Sequence, residues 1–441
     1  PPNGIPDKAL LDAVVPDRPI HLSNREGHGA WVNSRALQIA KITKQTSDPP
    51  NGRIDRDPKT GEPIGSLQEE ASQLVSKFIP PMRKEWIEKG MQFTSRYLNS
   101  FGITAWQDAS VSYNPNDTYQ MFDTYRRALE QDKLNAHVVL ALRWNKERGL
   151  EQIEEIKAAA KRVSSPDLNA YTVKIRLDGI IDTHTAALVD DYSDRPGFKG
   201  ETQVRPDVLK QAVAQLDAAG FQVHVHAIGD GTVREALDAF EYARQRNGDK
   251  LDNRHHIAHL QLVHPDDLPR FKQLNVNANF QPRWFYASNA VDMTAPRIGP
   301  ERMQRVYAIQ NVMKAGARVL FGSDWMVTSV NPLEAIKVAV TRIAPFAESG
   351  EPFLPEQRIT LEQAIAGYTI DAAYVNHLDD RTGSLEVGKL ADLGVLDRNL
   401  FQIEPAEISN TRVLLTLFGG RPVHGDWQAV QAERTSRLET P

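Results

Sequence analysis

Lys174, His226, His259 and Asp324 each fall toward the end of a separate short run of β-type residues: YTVKIRLD, FQVHVHA, HHIAHL and RVLFGSD. Two imidazoles and a carboxylate that converge make a donor set suited to Zn2+ or another divalent metal. A metal held there would lower the pKa of a bound water and polarise a carbonyl oxygen. Asp324 could then take the proton from that water and pass it to a leaving group. Lys174 is a different kind of candidate. A buried ammonium is costly and its pKa falls, and a neutral lysine can react with CO2 to give a carbamate, an anion able to bridge two metals. The chain has no cysteine, which excludes thiolate ligands, disulfides and a cysteine nucleophile.

Each of these residues also has a plainer reading. A single histidine on a strand is more often a hydrogen-bonded core residue than a ligand. Lys174 could pair with Asp178, and Asp324 could cap a following helix. His224 shares a face with His226 but lies one layer deeper, while His255 and His256 precede a strand end and suit a structural role. Gly179 and Gly229 suit tight turns. The tryptophans, Trp284 among them, could line a pocket or pack in the core.

The elements that would position these side chains follow one rhythm from about residue 100. Candidate strands are Gly102–Asp108, His137–Arg143, Tyr171–Asp178, Phe221–Ala227, His255–Leu260, Asn275–Gln281 and Arg318–Asp324. Amphipathic helix candidates such as Pro206–Ala219, Thr232–Gln245 and Leu333–Ile343 lie between them. Strands alternating with helices predict βα units around a parallel sheet, and seven strands predict an eight-stranded (β/α) barrel with one strand missing from this chain. Side chains alternate along a strand, so Thr172, Lys174 and Arg176 share one face, as do Gln222, His224 and His226, and Asn275, Asn277, Asn279 and Gln281. Barrel interiors are normally apolar, so a polar interior points to a buried site. Barrel enzymes carry their sites at the C-terminal ends of the strands, where the four candidates fall.

We expect three regions: a lid or insertion over residues 1–75, the barrel over 76–380, and part of a small β-sandwich domain over 381–441. The first is rich in turn pairs (DPPNGR, DPKTGEPIG) and reads as loops and short elements. The last holds short strand candidates around Gly419–Gly420. Acids and bases are interspersed at a net charge of −5, without the basic clustering of a nucleic-acid partner. No run of 18 apolar residues predicts a membrane span, and the sequence assigns no compartment.

The chain resembles the amidohydrolase superfamily, specifically its YtcJ-like branch that includes N-substituted formamide deformylase. The resemblance rests on ordered stretches: GHGAWVNSRAL at 27–37, DPPNGRIDRD at 48–57, GITAWQDAS at 102–110 and VKIRLDGIIDTHTAAL at 173–188. It continues with VHAIGDGTVREALDAFE at 225–241, IAHLQLV at 257–263, FGSDW at 321–325 and GSLEVGKLADLGVLD at 383–397. It implies that Lys174 is the strand-four lysine, usually carbamylated, that His226 and His259 are the strand-five and strand-six ligands, and that Asp324 is both ligand and general base. It implies one or two metal ions per chain. His28 is then a substrate contact from the lid, and Arg283 and Trp284 are expected beside the substrate.

The superfamily's first strand ends in His-X-His, which supplies two further ligands. The only such triplet here is His224–His226, which belongs to strand five. The first β half of the sandwich is also absent. We therefore expect a further N-terminal segment or a partner chain to complete the barrel, and a homo-oligomer is compatible with this. The leading expectation is hydrolysis of an amide-like C–N bond, as in an N-substituted formamide or N-acyl compound, in a small molecule. The alternative is an altered amidohydrolase scaffold acting as a binding or regulatory protein. An unrelated barrel lyase would need a phosphate-gripping Gly-rich loop, which FGSDW and QPRWF do not provide.

Overall fold

A computed structural model describes residues 5–24, 27–117, 119–249, 251–428 and 430–431. The chain divides into two compact units: residues up to Pro81 together with Gly179–Thr185, and Met82–Asp178 together with the chain from Ala186 onward.

The first unit is built on an antiparallel sheet rather than on loops alone. Its strands β1 (His21–Ser23), β2 (Gly29–Val32), β3 (Gly52–Arg56) and β4 (Pro63–Glu69) lie in the order β1-β2-β4-β3. The Pro- and Gly-rich stretches turn out to be strand punctuation. Asp57 accepts from the backbone of Lys59 and Thr60 at 2.9 and 2.8 Å, and Gly61 takes a left-handed φ of 72°, which turns β3 back into β4. Val32, Ile54, Leu67 and Ala71 form the centre of this unit's own core.

The second unit carries a parallel sheet of β5 (Ala105–Val111), β6 (His137–Arg143), β7 (Leu168–Arg176), β8 (Gln222–Ala227), β9 (His256–His259), β10 (Asn277–Phe280) and β11 (Val319–Phe321). The strands neighbour one another in chain order, from β5 at one edge to β11 at the other. That is the order of a (β/α) barrel, one strand short of eight among the described residues. The sheet curls. Gln107 on β5 bonds His224 on β8 at 2.6 Å, although a flat sheet would hold strands three places apart at about 14 Å. The apolar face packs outward: Val173, Ile175, Val223, Val225, Ile257 and Phe280 are fully buried. Helices begin where the sequence gives them caps. Pro206 occupies the first turn of Pro206–Ala218, Asn331 accepts from the Leu333 amide at 3.0 Å, and Thr360 and Gln363 form a capping box.

Four strands end earlier than expected, β9 and β10 by one residue and β7 and β11 by more. β7 stops at Arg176 and β11 at Phe321, so Asp178 and Asp324 lie in the loops beyond. A three-stranded antiparallel sheet follows, β12 (Leu393–Leu396), β13 (Val413–Phe418) and β14 (Arg421–Gly425). His137, the first residue of β6, ties it to the barrel: Nδ1 lies 2.8 Å from Asp167 Oδ1 and Nε2 2.9 Å from Asp392 Oδ2. Among the described residues no helix is long and apolar enough to cross a membrane.

Candidate metal centre

The polar inner faces of β7 to β10 assemble a cluster of imidazoles around one amine. Lys174 is buried on β7, and its Nζ lies 2.8 Å from His224 Nε2. Burial brings its pKa down to about 7; the Asp324 charge pulls it up and Arg176 pushes it down again. Part of the lysine population is therefore a neutral amine near neutrality. His224 is held well below its ordinary pKa, first by burial and then by Lys174. Its ring lies 4.1 Å from that of His256, which burial pushes down to about 3.

One layer above, the rings of His226 and His259 lie 4.4 Å apart, inclined at 63°. His259 Nδ1 is 2.8 Å from Gln281 Oε1, and the Gln281 amide donates to Asn279 Oδ1 at 3.1 Å. The oxygen of Gln281 thus faces the ring, His259 carries its proton on Nδ1, and the Nε2 lone pair points the other way. His226 has the opposite arrangement, with Nε2 3.5 Å from Asp178 Oδ1. Outer acceptors that fix ring orientation are the support that metal-bound imidazoles require.

Asp178 serves His226 and the surrounding turns rather than Lys174. Its buried carboxylate accepts from the amides of Ile228 and Gly229 at 3.0 Å, from Ala187 at 3.2 Å and from Thr232 Oγ1 at 2.7 Å. Burial pushes its pKa up to about 7 against the pull of those donors. The spacing of Asp178 from Lys174 suggested a pair on one face, but the strand ends before Asp178 and the side chain turns to the neighbouring loops.

Asp324 is exposed, in the turn after β11. It caps no helix. Asp324, His259 and Leu260 take left-handed φ values of 49°, 80° and 50°, a conformation costing non-glycine residues of order 1–3 kcal/mol each and concentrated at functional sites. Trp284 stacks on His259 at 5.6 Å with planes 11° apart. Arg283 is committed to Glu334, with Nε to Oε2 at 2.9 Å, and to the Tyr286 hydroxyl at 3.2 Å. His28 belongs to the first unit, where Nδ1 lies 2.9 Å from Glu69 Oε1.

His226 and His259 therefore fit a metal as two oriented imidazoles, with Lys174 adding an amine. Among the described residues, no group of three His, Asp or Glu side chains stands together as a ready metal site. Of the outer residues, Gln107 was not singled out from sequence, Asp178 was read only as a possible partner of Lys174, and Asn279 and Gln281 only as part of a polar face. The alternating polar face of the β10 run was the signal for Asn279 and Gln281.

The chain is similar to several known proteins. It is 31% identical over 429 residues to the Arabidopsis thaliana Protein LONG AFTER FAR-RED 3, covering 95% of this chain and 71% of that one. It is 28% identical to the putative amidohydrolase YtcJ of Bacillus subtilis, covering 94% of this chain and 75% of that one. It is 24% identical to N-substituted formamide deformylase of Arthrobacter pascens, with the same two coverages. An uncharacterized metal-dependent hydrolase from Pyrococcus horikoshii shares the fold, with a TM-score of 0.69 at 23% identity, covering 91% of this chain and 75% of that one. The amidohydrolase family pattern matches residues 2–424, through the four candidate residues and both accessory sheets. This chain belongs to the amidohydrolase family.

Proposed function

We propose that the chain is a metal-dependent hydrolase that cleaves an amide-like C–N bond in a small molecule, an N-substituted formamide or another N-acyl compound. The observation that carries the reading is the pair His226 and His259, two neighbouring imidazoles each with its outer nitrogen turned to a fixed acceptor. Family membership and the similarity to a formamide deformylase support the bond class.

His226, His259, Lys174 and Asp324 would hold Zn2+ or another divalent ion, one or two per chain. Such an ion supplies a water of lowered pKa and polarises the substrate carbonyl. Lys174, in part neutral near pH 7, would carry the carbamate. Asp324, in its exposed turn, would accept a proton and return it to the departing nitrogen. Trp284 would wall the substrate beside His259, with Arg283 as a further contact; the Arg283 pairing with Glu334 favours a positioning part for that residue.

β5 and β11 each present an unpaired edge among the described residues, and β5 is half-exposed along most of its length. Open edges are a liability that proteins cover. We place a completing strand there, from a longer form of the protein, a partner chain or a second copy, bringing further ligands.

The second reading, a binding or regulatory scaffold, is favoured by the lack, among the described residues, of any group of three or more His, Asp or Glu arranged to hold an ion. Metal content per chain decides between the two. About one or two ions, lost in His226→Ala and accompanied by turnover of N-substituted formamides, supports the hydrolase. A folded protein that stays empty when zinc is supplied refutes it.

A further inference from the structure

Both nitrogens of His224, inside the barrel, have short side-chain partners: Gln107 Oε1 at 2.6 Å from Nδ1 and Lys174 Nζ at 2.8 Å from Nε2. Which nitrogen carries the proton follows from the network beneath it. Gln222 Nε2 donates to the carbonyls of Arg254 and Val375 at 2.9 and 2.6 Å, so the Gln222 oxygen faces up the barrel. Asn376 Nδ2 donates to the Ala372 carbonyl at 2.8 Å, so its oxygen is also presented. Gln107 Nε2 donates to both of those oxygens, at 3.2 and 3.0 Å.

With its amide nitrogen used twice, Gln107 turns its oxygen to His224. An amide oxygen only accepts, so His224 Nδ1 carries the proton and Nε2 carries the lone pair. Backbone carbonyls at the base of the barrel thus set, through three side chains, the polarity of the acceptor that Lys174 meets.

We infer that His224 is a positioning residue for Lys174, holding one N–H of the amine through its Nε2 lone pair. The inference rests on the metal-site reading of Lys174. One donated hydrogen stops rotation about the Cε–Nζ bond and aims the rest of the amine toward the layer of His226 and His259. A neutral amine and a carbamate nitrogen each have a hydrogen to donate, so the same acceptor serves both forms. His224 is then no ligand itself, because neither nitrogen is left to spend on an ion.

The test reads the tautomer directly. The full chain labelled with 15N-histidine, stripped of metal, should show His224 with the proton on Nδ1. Gln107→Leu should lose that tautomer and weaken zinc binding about 10- to 100-fold, the effect of removing an outer partner. Gln107→Glu keeps an acceptor toward His224 at the same reach and should restore the Nδ1 tautomer, while its second oxygen loses the donation to Gln222 and Asn376. Thr172→Val, which removes the 2.9 Å bond to Gln222 Oε1 lower in the barrel, should change neither tautomer nor zinc affinity and serves as the folding control.

A proton on Nε2 of His224 in the unaltered protein overturns the inference. So does a Gln107→Leu protein that keeps the Nδ1 tautomer and unaltered zinc affinity. If the unaltered protein shows the expected tautomer, and Gln107→Leu loses it, but no zinc is taken up, the hold on Lys174 stands and the metal reading falls.

Discussion

Replacing Lys174 by methionine keeps the length of the side chain and removes the amine. The folded chain holds this amine at a pKa of about 7 against an ordinary 10.5. At about 1.4 kcal/mol per pH unit, the gap amounts to about 5 kcal/mol. The sign follows from proton counting. Between pH 7 and 10.5 the unfolded chain binds a proton that the folded chain lacks, so stability rises with pH across that window, and below 7 the whole cost is present. Methionine removes the cost but leaves His224 Nε2 without its donor, a loss of about 1–3 kcal/mol. The variant should therefore be more stable than the parent by about 2–4 kcal/mol at pH 7. The two curves should cross near pH 9, and the parent should win above it. Urea unfolding of metal-free protein from pH 6 to 10, followed by circular dichroism, measures this. A variant less stable at pH 7, or a difference that ignores pH, refutes a neutral buried lysine. Adding zinc should reverse the order at pH 7, because an ion that binds only the folded parent adds to its stability by mass action.

Asp178→Ala strips the acceptor from three backbone amides and Thr232, and should cost at least about 3 kcal/mol, read as a lowered melting temperature. Gln281→Leu leaves the fold in place but frees His259 Nδ1, so calorimetric titration should show zinc affinity reduced about 10- to 100-fold. His137→Phe takes one partner from the buried Asp392 carboxylate, which keeps the Gly419 amide at 2.7 Å, and should cost about 1–3 kcal/mol at neutral pH. Burial pushes Asp392 up, but the bonds from His137 and the Gly419 amide outweigh it and hold its pKa below the ordinary value. Its stabilising contribution is thus present above the ordinary carboxylate range and lost as pH falls through the depressed pKa, so parent and variant should converge in acid melts.

The βα rhythm and the polar inner faces were legible because both are periodic along the chain, and Lys174, His226 and His259 could be read off strands whose alternation is regular. Partner choice was not. The plain alternative for Lys174 was a pair with Asp178, four residues away, whereas its partner His224 lies 50 residues on, held in turn by Gln107 at a separation of 117. The Lys174–His224 pair needs β7 and β8 side by side in register, and the His224–Gln107 pair exists only once the sheet curls. The antiparallel sheet of the first unit was hidden for another reason: its strands are short, and their turn residues outweigh them in any local reading. Membership of Gly179–Thr185 in that unit could not be read at all, since nothing in GIIDTHT separates it from the strand it follows.

That last segment ties together three stretches far apart in the chain. Glu69, at a left-handed φ of 50°, meets both His28 and Thr185 through its Oε1, at 2.9 and 3.0 Å, and Arg53 reaches the Thr183 carbonyl at 3.3 Å. A methyl group on Gly179 would stand 2.2 Å from that same Glu69 oxygen and 2.1 Å from Thr185 Oγ1. For anyone recombining relatives, residues 1–81 are therefore not a detachable cassette. A chimera that borrows them must take the loop 179–185 from the same parent, and a lineage that altered the glycine would have had to rebuild His28, Glu69 and Thr185 together.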